Sequence, residues 1–107
     1  MQQFNEFVNR KQDENVQFCE DRKKGAVKIA QEARKGGPAQ LTAWHFAAKL
    51  PEYDACIKAI KEGKPSSYFQ QQEVKFMHQL TPIRNQRTFQ EVMGRAEVWG
   101  EVFIKVS

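Results

Sequence analysis

The side chains able to do covalent, metal or proton-transfer chemistry are few and scattered: two histidines, His45 and His78, and two cysteines, Cys19 and Cys56. His45 and Cys56 share the stretch "LTAWHFAAKLPEYDACIKAI", residues 41–60, eleven positions apart. On one continuous helix they would lie nearly in phase. A Cys–His nucleophilic pair needs the imidazole against the thiol and an oxyanion hole beside both. Pro51 falls between them, and a proline ends or kinks a helix by removing an N–H and crowding the preceding turn. Cys56 also belongs to the apolar stripe Tyr53–Cys56–Ile57–Ile60, where a cysteine acts as a small hydrophobe.

A zinc site would have to gather His45, Cys56 and His78 with Asp54 or Cys19. None of these stands in a recognised ligand spacing such as HxxxH or CxxC. The carboxylates occur mostly singly among Lys and Arg, without the close pair that hydrolysis or cation binding uses. No glycine-rich phosphate loop is present. No catalytic residue, metal or cofactor is therefore expected, and His45 is expected to be a helix histidine bonded to a carbonyl or carboxylate.

The elements that hold these residues are marked by clear punctuation. Arg34 and Lys35 close a first helix in front of Gly36–Gly37, since cations oppose the negative end of the helix dipole and glycine supplies a left-handed cap. Pro38 opens a second segment, Pro51 a third, which Gly63 ends, and Pro65–Ser66–Ser67 a fourth with a serine cap. Thr81 with Pro82 opens the last. Five segments result, an all-α chain built as one compact domain over residues 1–107. Residues 41–50 leave no wide polar face, the pattern of a helix buried on most sides.

Both ends are open to two readings. Val16, Cys19, Ala26, Ala30 and Ala33 form a narrow stripe of small residues, preceded by a separate patch of Phe4, Phe7 and Val8. Either one helix runs to about residue 35, or residues 1–12 form a separate helix or arm. At the other end Phe89, Val92, Ala96, Trp99, Phe103 and Val106 recur at helical spacing. The tail from Val98 also alternates in the β sense, and Gly94 and Gly100 each weaken a helix by about 1 kcal/mol. Residues 98–107 are accordingly open between helix and extended strand.

Composition bounds the function. The chain has 107 residues, 40% hydrophobic and 28% charged, with eight Phe and two Trp, enough for a soluble domain with its own core. No run approaches the ~20 apolar residues of a membrane span, and the polar start lacks the apolar middle of a signal peptide. Two sparse cysteines fit a reducing compartment. The expected location is the cytoplasm, or a host cytoplasm for a virus-encoded protein.

The net charge of +4 is spread almost evenly along the chain, whereas nucleic-acid binders concentrate it. The expected function is non-catalytic: a small helical accessory module working through protein contacts, self-association included. Its candidate anchors are the aromatic residues Phe4, Phe7, Trp99 and Phe103 near the two ends, which are equally open to a second reading, that all four finish the core. The alternative is a weak, salt-sensitive nucleic-acid binder using Arg22, Lys23, Lys24 and Lys28.

Overall fold

The computed structural model describes the backbone of residues 2–34 and 40–107 and the side chains of residues 6–33 and 40–107. Four helices make up the described chain: α1 (Gln2–Arg34), α2 (Gln40–Lys61), α3 (Ser66–Leu80) and α4 (Gln86–Val106). The all-α class holds, with four helices where the punctuation implies five. The expected cap of α1 at Lys35, Gly36–Gly37 and Pro38 lies outside the described residues, as does the Arg34 side chain.

The missing break is at Pro51, which sits inside α2. Its ring removes the hydrogen bond to the Ala47 carbonyl, a change that costs an interior helix about 3 kcal/mol. The proline is exposed, and α2 buries residues on both sides of it: Ala43, Ala48 and Lys49 before, Tyr53, Cys56, Ala59 and Ile60 after. Packing along the whole helix outweighs the local break. Gly63 closes α2 as its sequence implies, at φ 74°. Lys64 N–H donates to the Ala59 carbonyl (3.1 Å) and Gly63 N–H to the Ile60 carbonyl (3.0 Å), the paired bonds of a Schellman cap.

Two helix starts shift from their expected places. Pro65 itself caps α3, with no side-chain hydrogen bond from a serine. Asn85, not Thr81, caps α4, its Oδ1 accepting from Thr88 N–H at 3.0 Å. Thr81 and Pro82 lie in the turn between α3 and α4.

The C-terminal tail is helical to Val106, which removes the extended alternative. The two glycines that weaken the helix are its points of closest approach to neighbours. A Cβ at Gly94 would strike the His45 carbonyl of α2, and one at Gly100 would strike the Glu73 carboxylate of α3. Close packing on two sides offsets the glycine penalty, and no β partner is needed.

Packing places the helices in the spatial order α1, α2, α4, α3, with α2 and α4 in the middle. The body measures 55 × 30 × 16 Å. The core gathers Cys19 and Ala26 from α1, Tyr53, Cys56 and Ile60 from α2, Phe69 from α3, and Val98, Trp99 and Val102 from α4. The small-residue stripe of α1 is buried at Cys19, Ala26, Ala30 and Ala33, so α1 lies close against α2.

Candidate functional site

The densest set of titratable groups lies on the seam between α2 and α4, with one contribution from α1. His45, Lys49 and Tyr53 recur every four residues on α2, so they share one helix face. Glu97 and Glu101 do the same on α4. His45 Nε2 donates to Glu97 Oε2 at 2.9 Å, and Lys49 Nζ reaches the same oxygen at 3.0 Å. One turn further, the Tyr53 hydroxyl donates to Glu101 Oε1. Arg22 of α1 holds Glu101 Oε2 at 2.9 Å.

Lys49 is the buried cation of the molecule's described residues, only 6% exposed. Its ammonium also lies over the Phe46 ring, 4.7 Å from the centroid, a placement worth more when desolvated. Burial pushes the Glu97 carboxyl upward, but the hydrogen bonds from Lys49 and His45 outweigh it and hold the group below the usual carboxylate range. Tyr53 is pushed the other way: burial first, then its hydrogen bond to Glu101, keeps the phenol protonated. Its hydrogen bond to Glu101 holds the Arg22 guanidinium more firmly in its charged form.

The seam is nearly saturated. Two carboxylates face two cations, an imidazole and a phenol, and only His45 Nδ1 is buried without a partner. Such an arrangement fixes the register of α2 on α4, with the buried His45 Nδ1 as its one unpaired position. No family model matches the chain, and no curated protein or solved structure does. The residues alone carry the functional reading.

Cys19 and Cys56 are fully buried and free. Burial raises the Cys19 thiol to about 12, and burial pushes Cys56 further still, so neither supplies the thiolate that nucleophilic chemistry needs. His45 and Cys56 do share one continuous helix, contrary to the break expected at Pro51. Eleven residues of helix separate them by about 16 Å, too far for a catalytic pair. Among the described residues no group of three or more His, Cys, Asp and Glu could hold a metal ion.

The aromatic anchors expected at an interface fall into different environments. The Phe4 side chain lies outside the described residues. Phe7 is 54% exposed, and the adjoining Val8 is exposed as well. Trp99 takes the core reading: it is only 4% exposed, packed against Tyr68 and Phe69 of α3, because its turn of α4 faces α3. Phe103 packs half-buried against the core. In the basic cluster, Arg22 is paired with Glu101 and Lys23 with Asp54 at 2.8 Å; Lys24 and Lys28 are exposed.

Glu97 and Glu101 carry no flag in the sequence, where each stands singly. The signal was periodic: "HxxxKxxxY" on one helix opposite "ExxxE" on another. That match becomes visible only once α2 and α4 are known to be neighbours.

Proposed function

We propose that the protein is a non-catalytic helical module of the cytoplasm that acts through protein contacts, with a second copy of itself among its partners. The observation that carries this reading is the start of α1. All residues from Glu6 to Lys11 are exposed, Phe7 and Val8 included. Among the described side chains of α1, the first bonded to another helix is Gln12, whose Nε2 donates to the Ile60 carbonyl at 3.2 Å. A helical arm of this kind is poorly stable alone in water, and an apolar pair on it gains from a covering surface. Two buried, unreactive thiols fit a reducing compartment.

Two of the four cations of the alternative nucleic-acid surface, Arg22 and Lys23, are engaged by carboxylates. That weighs against a phosphate-binding stripe.

Light scattering across a concentration series tests the reading. A mass that rises toward a dimer is expected, and the double variant Phe7→Glu with Val8→Lys returns it to the monomer while leaving thermal stability unchanged. A monomeric mass for the unmodified protein at concentrations up to about 0.2 mM, where even weak specific pairing is populated, overturns self-association.

A further inference from the structure

α1 carries a second stripe beside the one it buries. Phe7, Phe18 and Ile29 stand eleven residues apart, three turns plus about 20° at 3.6 residues per turn, so they share one line of the helix. Lys11 and Glu14 fill the first interval, Arg22 and Gly25 the second. The line runs about a quarter-turn around the helix from the buried Cys19, Ala26 and Ala30. Its members are exposed, apart from the half-buried Phe18. We propose that this stripe binds the same stripe of a second copy, the two α1 helices lying antiparallel about a two-fold axis at Phe18. The inference deepens the self-association proposed above and rests on it.

Three observations lead there. The first is the order of the residues. The spacings along the stripe are 4, 3, 4, 4, 3 and 4, symmetric about Phe18. Turned end for end, Phe18 meets Phe18, Phe7 meets Ile29, Lys11 meets Gly25 and Glu14 meets Arg22. Apolar thus meets apolar and acid meets base, the self-complementarity that a two-fold interface requires. Within its own chain Glu14 has only the loose contact to Lys11 at 3.8 Å among the printed ion pairs of the described residues, with both side chains about half exposed. Arg22 holds Glu101 through Nη2 at 2.9 Å, and other N–H donors of the guanidinium remain for Glu14 of the second copy.

The second is Gly25, a residue that weakens the middle of a helix. At Gly94 and Gly100 the reason is a neighbouring helix at close range, whereas a Cβ on Gly25 would meet nothing within 4 Å among the described residues. Opposite the Lys11 stem of a second copy, the missing Cβ lets two helices approach closely.

The third is extent. An interface of standard size buries about 800 Å² per partner. The arm from Glu6 to Lys11 offers about 9 Å of helix, too little alone, and the stripe from Phe7 to Ile29 about 33 Å. Beside Arg22, Gly25 and Ile29 a groove of about 350 Å³ with Phe46 on its wall widens the contact onto α2.

Gly25→Leu is the deciding variant, because it favours the helix and blocks the close approach. Lys24→Leu, about a third of a turn away on an exposed position, is its control. In light scattering the unmodified protein is expected to dimerise and Gly25→Leu to raise the dimer Kd at least about tenfold. Its helix content by circular dichroism should be equal or higher, and Lys24→Leu should leave the Kd unchanged. Disulfide trapping reads the orientation independently, since Cys19 and Cys56 are buried. Glu14→Cys mixed with Arg22→Cys should cross-link between chains. Glu14→Cys alone should not, its two copies lying about 12 Å apart along the axis. A dimer indifferent to Gly25→Leu, or one that traps Glu14→Cys with itself, overturns this interface and leaves self-association standing. A monomeric unmodified protein overturns both.

Discussion

α2 meets α4 along a seam in which nearly every charge has found its opposite, and borders α3 across a cleft, lined by Glu52, Lys58, Tyr68, Phe76 and Trp99, in which the Glu52 carboxylate has no ion-pair partner among the described residues. The same two helices, α2 and α4, contribute to both regions. At the seam Glu97 is drawn below its ordinary range by Lys49 and His45; at the cleft Glu52 is lifted above its ordinary range by burial. The difference separates a polar set that holds helices together from one that costs stability.

The close approach of the backbones sets the seam, and breaking it gives the largest effect. Gly94→Ala drives a Cβ into the His45 carbonyl, a backbone atom that cannot turn aside. Denaturant unfolding should show a loss of about 2–3 kcal/mol, net of the gain in helix propensity. Gly100→Ala meets only the end of the Glu73 side chain, which can swing away. That variant should stay within about 0.5 kcal/mol of the parent or rise slightly. Equal losses at both sites would mean that α3 and α2 hold α4 equally rigidly.

Removing the shared carboxylate comes next. Glu97→Ala leaves the Lys49 ammonium buried without its ion-pair partner, and Glu97 itself is 47% exposed at its side chain. The cost expected from thermal unfolding is about 2 kcal/mol, below that of a fully buried pair. Its sign with pH follows from the depressed carboxyl. The contribution is full above the ordinary carboxylate pKa and is lost as pH falls through the lowered native value. Parent and variant should therefore converge in acid. The converse change, Lys49→Met, keeps the volume, removes the buried cation and leaves Glu97 open to water. It should cost less than about 1 kcal/mol.

These asymmetries also explain what was legible in the sequence. The helical class, the small-residue stripe of α1 and the buried face of α4 follow from periodicity, and that signal belongs to single helices. Pro51 misled because a local rule was set against packing along all of α2, which no local rule contains. Gly94 and Gly100 misled for the same reason: their value lies in the helices that approach them. His45 was expected to have a carbonyl or carboxylate partner, and Glu97 is that partner. Trp99 stood open between interface and core, since nothing in its immediate neighbours says that Phe69 and Tyr68 will cover it. Pairings between helices, and therefore both the seam and the cleft, require the tertiary arrangement.

The smallest effect sharpens the contrast most. Glu52→Gln removes a charge from the cleft while keeping shape and an acceptor oxygen. Because the native carboxyl is raised, its ionised form opposes folding at neutral pH, and the cost disappears as pH falls through the raised native value. The variant should be more stable than the parent at pH 7 by a few tenths of a kcal/mol, as expected for a partly solvated site. The two should become indistinguishable in acid. Glu97→Ala runs the opposite way at neutral pH, destabilising where Glu52→Gln stabilises. A loss of stability in Glu52→Gln at pH 7 would show that Arg95, Lys75 and the Trp99 N–H already satisfy this carboxylate. The cleft would then be another saturated seam.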